Sequence, residues 1–237
     1  MPKETILKAL ILQHASFETP GYILDWLKIH QYETIILKLY EIDEKNIPLS
    51  YNINLLIIMG GPMSAHDEKK YKWLSKEKQL IKNLINKNIP TLGICLGAQL
   101  IADIYNAHIT IAKHKEIGWF PIQVIQSKER KKIKWPENFV TFLWHGEQFD
   151  IPAHAKLLAF SQGCPHQAFM IKNNVIGLQF HPEMTLTMIQ NMIENCYDQD
   201  KTLSPFVQSI KEILSVPKEY YSINHQIIDN LLSYLTT

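Results

Sequence analysis

Residues 90–102, PTLGICLGAQLIA, pass from a short apolar run straight into a helical pattern with no polar turn between. Gly93 and Gly97 stand two residues before and two after Cys95. Small residues at those positions let a buried strand turn sharply into a helix without a Cβ clash, which is a nucleophile elbow carrying sulfur in place of oxygen. Cys95 then stands at a helix N-terminus, where the positive dipole end and free N–H groups favour a thiolate. Read blandly, the same pentapeptide is the packing of a tight crossover around a small buried thiol.

The surrounding pattern agrees with an α/β chain. KALILQH (8–14), TIILKLY (34–40), NLLIIMG (54–60) and IPTLGIC (89–95) are short, nearly continuous apolar runs, as expected of parallel strands covered on both faces. Ile23, Leu27 and His30 recur at helical spacing after Pro20-Gly21, and Tyr71, Leu74, Ile81, Leu84 and Ile85 form the apolar stripe of a lysine-rich amphipathic helix. Residues 41–53 are too short for a crossover helix and predict a loop with one turn. After residue 105 come six strand-like runs, with Asn173-Asn174 suited to a hairpin. From Thr185 the pattern predicts helices, including 206–214 and 224–235. We expect one domain over 1–237, of three-layer α/β sandwich type with a mostly parallel central sheet.

Composition removes several function classes. The 237 residues carry 24 Lys+Arg against 23 Asp+Glu. Nothing in that balance asks for nucleic acid, and Arg130 is the one arginine, so guanidinium readout of bases or phosphates is almost absent. The basic cluster 128–135 reads as a solvated loop or turn before a strand, with a phosphate-binding or partner-docking patch as the alternative. The three cysteines, Cys95, Cys164 and Cys196, form no CxxC and no disulfide framework, and Cys164 and Cys196 read as packing. The histidines show no metal spacing, so neither a metal nor a cofactor is expected. No run approaches the roughly 20 apolar residues that cross a bilayer, and Lys8 interrupts the only apolar stretch near the N-terminus. The expectation is a reduced, cytoplasmic protein without membrane contact.

A second motif supplies what the cysteine lacks. In VIGLQFHPEMT, 175–185, His181 ends an apolar run and Glu183 follows two residues on. A nucleophilic thiol needs a base, and the imidazole needs a carboxylate to fix its tautomer. Alone, His-Pro-Glu could be a turn with a satisfied histidine.

The order Gly-x-Cys-x-Gly-x-Gln, about 80 residues, then Gln-Phe-His-Pro-Glu, resembles the class I (triad) glutamine amidotransferases. It is most similar to free-standing proteins akin to the glutaminase domain of GMP synthase. LLIIMGGPMSAHDE (55–68), HKEIGWFP (114–121), WHGEQFDIP (144–152) and CPHQAFMI (164–171) add to the likeness, which spans roughly 5–195 and leaves 196–237 as a helical tail. His145-Gly146-Glu147 departs from the His-Gly-Asp of many GMP-synthase-type domains.

The resemblance implies a flavodoxin-like fold and a set of roles. Cys95 would be nucleophile, His181 base and Glu183 orienting acid. The backbone N–H groups of Gly61 and Leu96 would form the oxyanion hole, with Gly60-Gly61 permitting the peptide orientation such a donor needs, and Gln99 would help shape the substrate pocket. Apart from the resemblance, His145 follows a strand and would either line the substrate site's rim or cap that strand. The implied reaction is attack on a γ-carboxamide, loss of ammonia, and hydrolysis of a γ-glutamyl thioester. Glutamine or another γ-glutamyl small molecule would be the substrate. The chain carries no P-loop-like motif, so a separate synthetase subunit would accept the ammonia; a homodimer is compatible with the resemblance. The rival expectations are a γ-glutamyl peptidase acting alone and a non-catalytic regulatory subunit.

Overall fold

A computed structural model describes residues 6–197 and 204–237; residues 1–5 and 198–203 of the expected 1–237 domain lie outside it. Nine strands form a single mixed sheet in the order β2-β1-β3-β4-β9-β8-β7-β5-β6. β1 (Lys8–Gln13), β2 (Glu33–Lys38), β3 (Leu55–Ile58), β4 (Thr91–Ile94) and β9 (Val175–Leu178) pair parallel. β8 (Ala168–Ile171), β7 (Lys156–Phe160), β5 (Ile109–Val124) and β6 (Asn138–Phe149) continue it antiparallel.

Alternation along the parallel strands builds two cores. Ala9 and Ile11 of β1 face α1 (Tyr22–Ile29) and α7 (Lys218–Leu235), whereas Leu10 and Leu12 face α2 (Trp73–Asn86) and α3 (Leu96–Ile104). Side chains buried on both faces explain why these strands read as continuous apolar runs. β2 is the exception, an edge strand with several half-exposed positions. A third cluster joins Trp119 and Phe142 of the antiparallel strands to α5 (Leu186–Cys196) and α6 (Ile210–Leu214).

Several sequence expectations change. The runs at 108–114 and 120–126 belong to one strand, β5, whose polar middle takes a register shift between Ile111 and Glu116 rather than a turn. Residues 128–133 form a short helix, α4, in place of a loop. The helix expected from 206 starts at Ile210, because Phe206 and Gln208 bond to the backbone of Ile117 and Ser209 caps the helix through a capping box with Glu212. In the β8–β9 hairpin it is Lys172, not an asparagine, that takes positive φ. The C-terminal tail is a core element: Ile228, Leu231 and Leu232 of α7 are fully buried. Each such aliphatic side chain contributes roughly 1.5–3 kcal/mol. Among the described residues, no helix is long and apolar enough to cross a membrane.

The parallel strands all present their carboxyl ends to one edge. Gln13 ends β1 and His14 follows it, Gly60-Gly61 follows β3, Cys95 follows β4 and Gln179–His181 follows β9. Open α/β sheets place their ligands at this edge.

Candidate active site

Cys95 sits between β4 and α3 with φ 49° and ψ −106°, a left-handed conformation that is uncommon for a non-glycine residue. The elbow is tight because α3 lies close on β3. A Cβ on Gly97 would run into the Ile58 carbonyl, and one on Gly93 would lie 2.7 Å from the Gly97 carbonyl. The Cys95 N–H bonds Leu178 O at 2.7 Å, tying the elbow to β9. The first intrahelical bond of α3 runs from Gln99 N to Cys95 O at 3.0 Å. The Leu96 N–H therefore precedes the helix's own bonding.

His181 arrives from β9. Its N–H bonds Phe142 O at 2.8 Å, and its Nδ1 lies 2.8 Å from Glu183 Oε1. Both side chains are almost wholly buried. Burial works against a charged ring, but the Glu183 carboxylate and the neighbouring Cys95 outweigh it and hold the His181 pKa well above its ordinary value. Nε2 makes no formed hydrogen bond among the described residues, so the ring atom on the Cys95 side is open to a proton transfer. Glu183 is itself anchored, its carbonyl accepting from Tyr22 N at 3.1 Å at the start of α1.

A cleft of about 510 Å³ opens at Cys95. Of the residues singled out from sequence, Cys95, Gly61, Gln99 and His145 line it, while Gly60, Leu96, His181 and Glu183 do not. Gln99 Nε2 lies 3.4 Å from Glu147 O and 3.3 Å from Gln179 Oε1. Both ring nitrogens of His145 are engaged, Nδ1 with Glu147 O at 3.0 Å and Nε2 with Glu116 Oε2 at 2.9 Å. Glu116 also accepts from Ser161 Oγ and Gln167 Nε2, so His145 is part of a satisfied wall.

Sequence reasoning missed four residues. Gln179 donates from Nε2 to Cys95 Sγ at 3.5 Å. Glu18, in the loop before α1, lines the cleft, and its carboxylate abuts the space where a Gly60 Cβ would stand. Burial raises the Glu18 pKa, tempered by His181 and His14. His14 bonds Gly60 O through Nδ1 at 2.9 Å and Glu77 Oε1 through Nε2 at 2.7 Å. Glu77 stands on the apolar face of α2 and Glu18 in a loop, so a buried carboxylate at either position was the only signal to be found. Cys196, expected to pack, also lines the cleft; Cys164 is fully buried. Burial pushes the Cys164 thiol up to about 12 and the Cys196 thiol up to about 11, the latter helped by Glu18. Among the described residues, no group of three or more His, Cys, Asp or Glu is arranged to hold a metal ion.

The chain is similar to several known proteins. The glutamine amidotransferase-like protein YfeJ of Salmonella typhimurium is 28% identical over 207 residues, covering 84% of this chain and 86% of that protein. A glutamine-hydrolyzing GMP synthase subunit of Picrophilus torridus is 32% identical over 148 residues, covering 60% of this chain and 76% of that one. Against the longer GMP synthase of Wigglesworthia glossinidia brevipalpis the chain spans 37% of the relative. The crystal structure of a glutamine amidotransferase from Thermotoga maritima superposes with a TM-score of 0.86 at 27% identity, covering 98% of this chain and 99% of that one. The fold is that of the class I glutamine amidotransferases. The family model for glutamine amidotransferase class-I matches residues 23–199, about three quarters of the sequence, and the chain belongs to that family.

Proposed function

We propose that the protein hydrolyses the γ-carboxamide of glutamine to glutamate and ammonia through a thioester on Cys95. The observation that carries this reading is the strained elbow thiol beside a buried imidazole whose far nitrogen is held by Glu183 at 2.8 Å. The Cys95 thiolate attacks the carbonyl carbon of the γ-carboxamide, and the tetrahedral oxyanion is met by the N–H groups of Gly61 and Leu96. Protonated His181 gives its Nε2 proton to the departing amine, releasing ammonia and leaving a γ-glutamyl thioester. Neutral His181 then takes a proton from water, which attacks the thioester; the C–S bond breaks, regenerating the Cys95 thiolate beside protonated His181 and releasing glutamate. Glu183 keeps Nδ1–H oriented throughout and supports the imidazolium. Gln99 shapes the site around the substrate.

A second reading has one observation in its favour. The cleft of about 510 Å³ exceeds what a ten-heavy-atom substrate fills, and Trp144, Met192 and Asn195 extend its wall beyond Cys95. That space suits a γ-glutamyl amide with a larger leaving amine, cleaved by the same steps. For the amidotransferase reading, the ammonia acceptor would be supplied by a separate synthetase chain, in keeping with a relative that is named as a subunit.

The test is to incubate the purified protein alone with glutamine and with a panel of γ-glutamyl dipeptides, following glutamate and free amine. Release of glutamate that disappears in Cys95→Ser is the expected result. Absence of glutamate from every substrate, with and without candidate synthetase chains, overturns the reading and leaves a non-catalytic subunit.

A further inference from the structure

Two consecutive glycines at a turn leave their shared peptide free to take either of two orientations, and only one of them serves an oxyanion. The Gly60–Gly61 peptide is trans, so its C=O and N–H point in opposite directions. Gly60 O lies 2.9 Å from His14 Nδ1. A carbonyl only accepts, so Nδ1 carries the hydrogen and donates it. The other ring nitrogen is 2.7 Å from Glu77 Oε1, and both side chains are fully buried. The ring is also stacked on Trp73, with centroids 5.7 Å apart. Trp73 and Glu77 lie one turn apart on α2, so one helix face grips the imidazole by its plane and by its far nitrogen.

We infer that His14 and Glu77 are a positioning pair that locks the Gly60–Gly61 peptide with its N–H turned away from His14 and toward the cleft, so that the oxyanion hole is built before substrate or partner arrives. The inference rests on the amidase reading for its catalytic consequence. Gly61 lines the cleft beside Cys95, and a Cβ there would run into Met63, the His14 Cβ and the Leu96 side chain. Pro62 follows and has no N–H, so a reversed peptide would leave a carbonyl where the donor had been, with no neighbouring donor to replace it. Stability alone gives no reason for the pair. A buried ion pair is often replaced by apolar residues of similar volume at no loss. A positioning role explains why a histidine and a glutamate occupy the interface between β1 and α2.

The test compares wild type with two double variants, His14→Leu/Glu77→Leu and His14→Asn/Glu77→Leu. The first removes the donor without leaving a buried charge. The second restores an N–H donor close to the position of Nδ1. Iodoacetamide alkylation of Cys95 needs no oxyanion hole, and its rate should stay within about twofold of wild type in both folded variants. Glutamate release by the first should fall in kcat by about 10²–10³-fold with KM nearly unchanged, the loss typical of one oxyanion donor. The asparagine variant should recover to within about tenfold of wild type. A first variant that folds and keeps kcat within about threefold overturns the inference, as does a folded asparagine variant that recovers nothing. If wild type itself releases no glutamate, the amidase reading fails separately. The inference is then judged on crystal structures of the three proteins, where it falls if the Gly60 carbonyl still points toward residue 14 in the leucine pair. A first variant that does not fold hands the same decision to the asparagine pair and to His14→Gln, whose longer amide cannot bond Gly60 O and Glu77 as the ring does.

Discussion

Gln179 Nε2 donates to Cys95 Sγ at 3.5 Å while its Oε1 accepts from Gln99 Nε2 at 3.3 Å, so the amide reaches the thiol in one fixed orientation. A donor aimed at sulfur holds the nucleophile in one place and supports negative charge at that atom. Gln179→Leu should therefore slow iodoacetamide alkylation of Cys95 near neutral pH, by several-fold rather than by orders of magnitude, because the helix end and His181 still act. Gln179→Glu should slow it further, since a carboxylate would face the developing charge. An unchanged alkylation rate in both variants removes Gln179 from the site's electrostatics.

The three cysteines should differ sharply in reactivity. With thiols pushed up to about 12 and about 11, Cys164 and Cys196 are protonated at neutral pH and are poor nucleophiles. A glutamine-like chloroketone should give a single adduct, mapped by peptide mass to Cys95. Labelling that falls mainly on Cys196, which shares the cleft, would sink the nucleophile assignment. Cys95→Ser should fold as wild type and lose turnover by several orders of magnitude.

His181 and Glu183 should separate by the size and the pH dependence of their effects. His181→Ala removes the proton carrier and should lower kcat by about 10²–10⁴-fold. Glu183→Gln keeps the volume and an acceptor and should lose less. The folded His181 pKa is raised, with Glu183 the leading cause after the opposing effect of burial. Deprotonation of the ring ends protonation of the leaving amine, so the alkaline limb of kcat/KM should lie well above 6.5 in wild type and shift to lower pH in Glu183→Gln. A limb that stays in place reduces the triad to a Cys-His dyad.

The elbow and the His-Pro-Glu strand end were legible because both are local: each places its chemistry within a few residues of a strand whose apolar run is obvious. The parallel half of the sheet was legible for the same reason. His14 and Glu77 were not, since their meaning lies in contacts across 46 and 63 residues of sequence, to Gly60 and between His14 and Glu77; nor was Glu18, whose carboxylate meets Gly60 only in the folded chain. β5 was split by its polar middle, Lys113 to Glu116, because a run of charged and polar residues at a bulge looks like a turn. Phe206–Gln208 runs into the apolar spacing of the following helix but pairs with the backbone of Ile117, in keeping with the strand preference of Phe206 and Val207.

Glu18→Gln should stabilise the protein at neutral pH. Burial raises the folded pKa of this carboxyl above its ordinary 4.5, which exceeds the lowering by His181 and His14. The folded chain therefore holds this proton more tightly than the unfolded chain, and ionisation above the folded pKa works against folding. The glutamine variant lacks that penalty. Its stability advantage over wild type should be present at pH 7, shrink as pH falls through the folded pKa, and vanish near 4.5 and below. Urea unfolding of both proteins at several pH values reads this directly. A difference that is constant with pH shows that the carboxyl does not titrate on folding.

The leaving-group side of the cleft gives the prediction that divides the two amidase readings. Trp144 and Met192 line the space beyond Cys95; Met192 belongs to the third core cluster and the half-buried Trp144 packs against it, on Phe142. If a bulky amine occupies that space during reaction, Trp144→Ala should lower kcat/KM for a γ-glutamyl dipeptide by tenfold or more and leave glutamine nearly unaffected. A well-fitted apolar group contributes about 1–3 kcal/mol to the transition state, which is roughly tenfold to a hundredfold and more. If ammonia is the natural leaving group, both substrates should respond alike, and glutamine should be hydrolysed while dipeptides are not. The ratio of the two kcat/KM values in wild type fixes which reading stands: a dipeptide preference above about a hundredfold goes beyond one fitted group and makes the protein a γ-glutamyl peptidase. Undetectable dipeptide cleavage beside measurable glutaminase activity eliminates that alternative, and the extra volume would then remain for the acceptor chain to close.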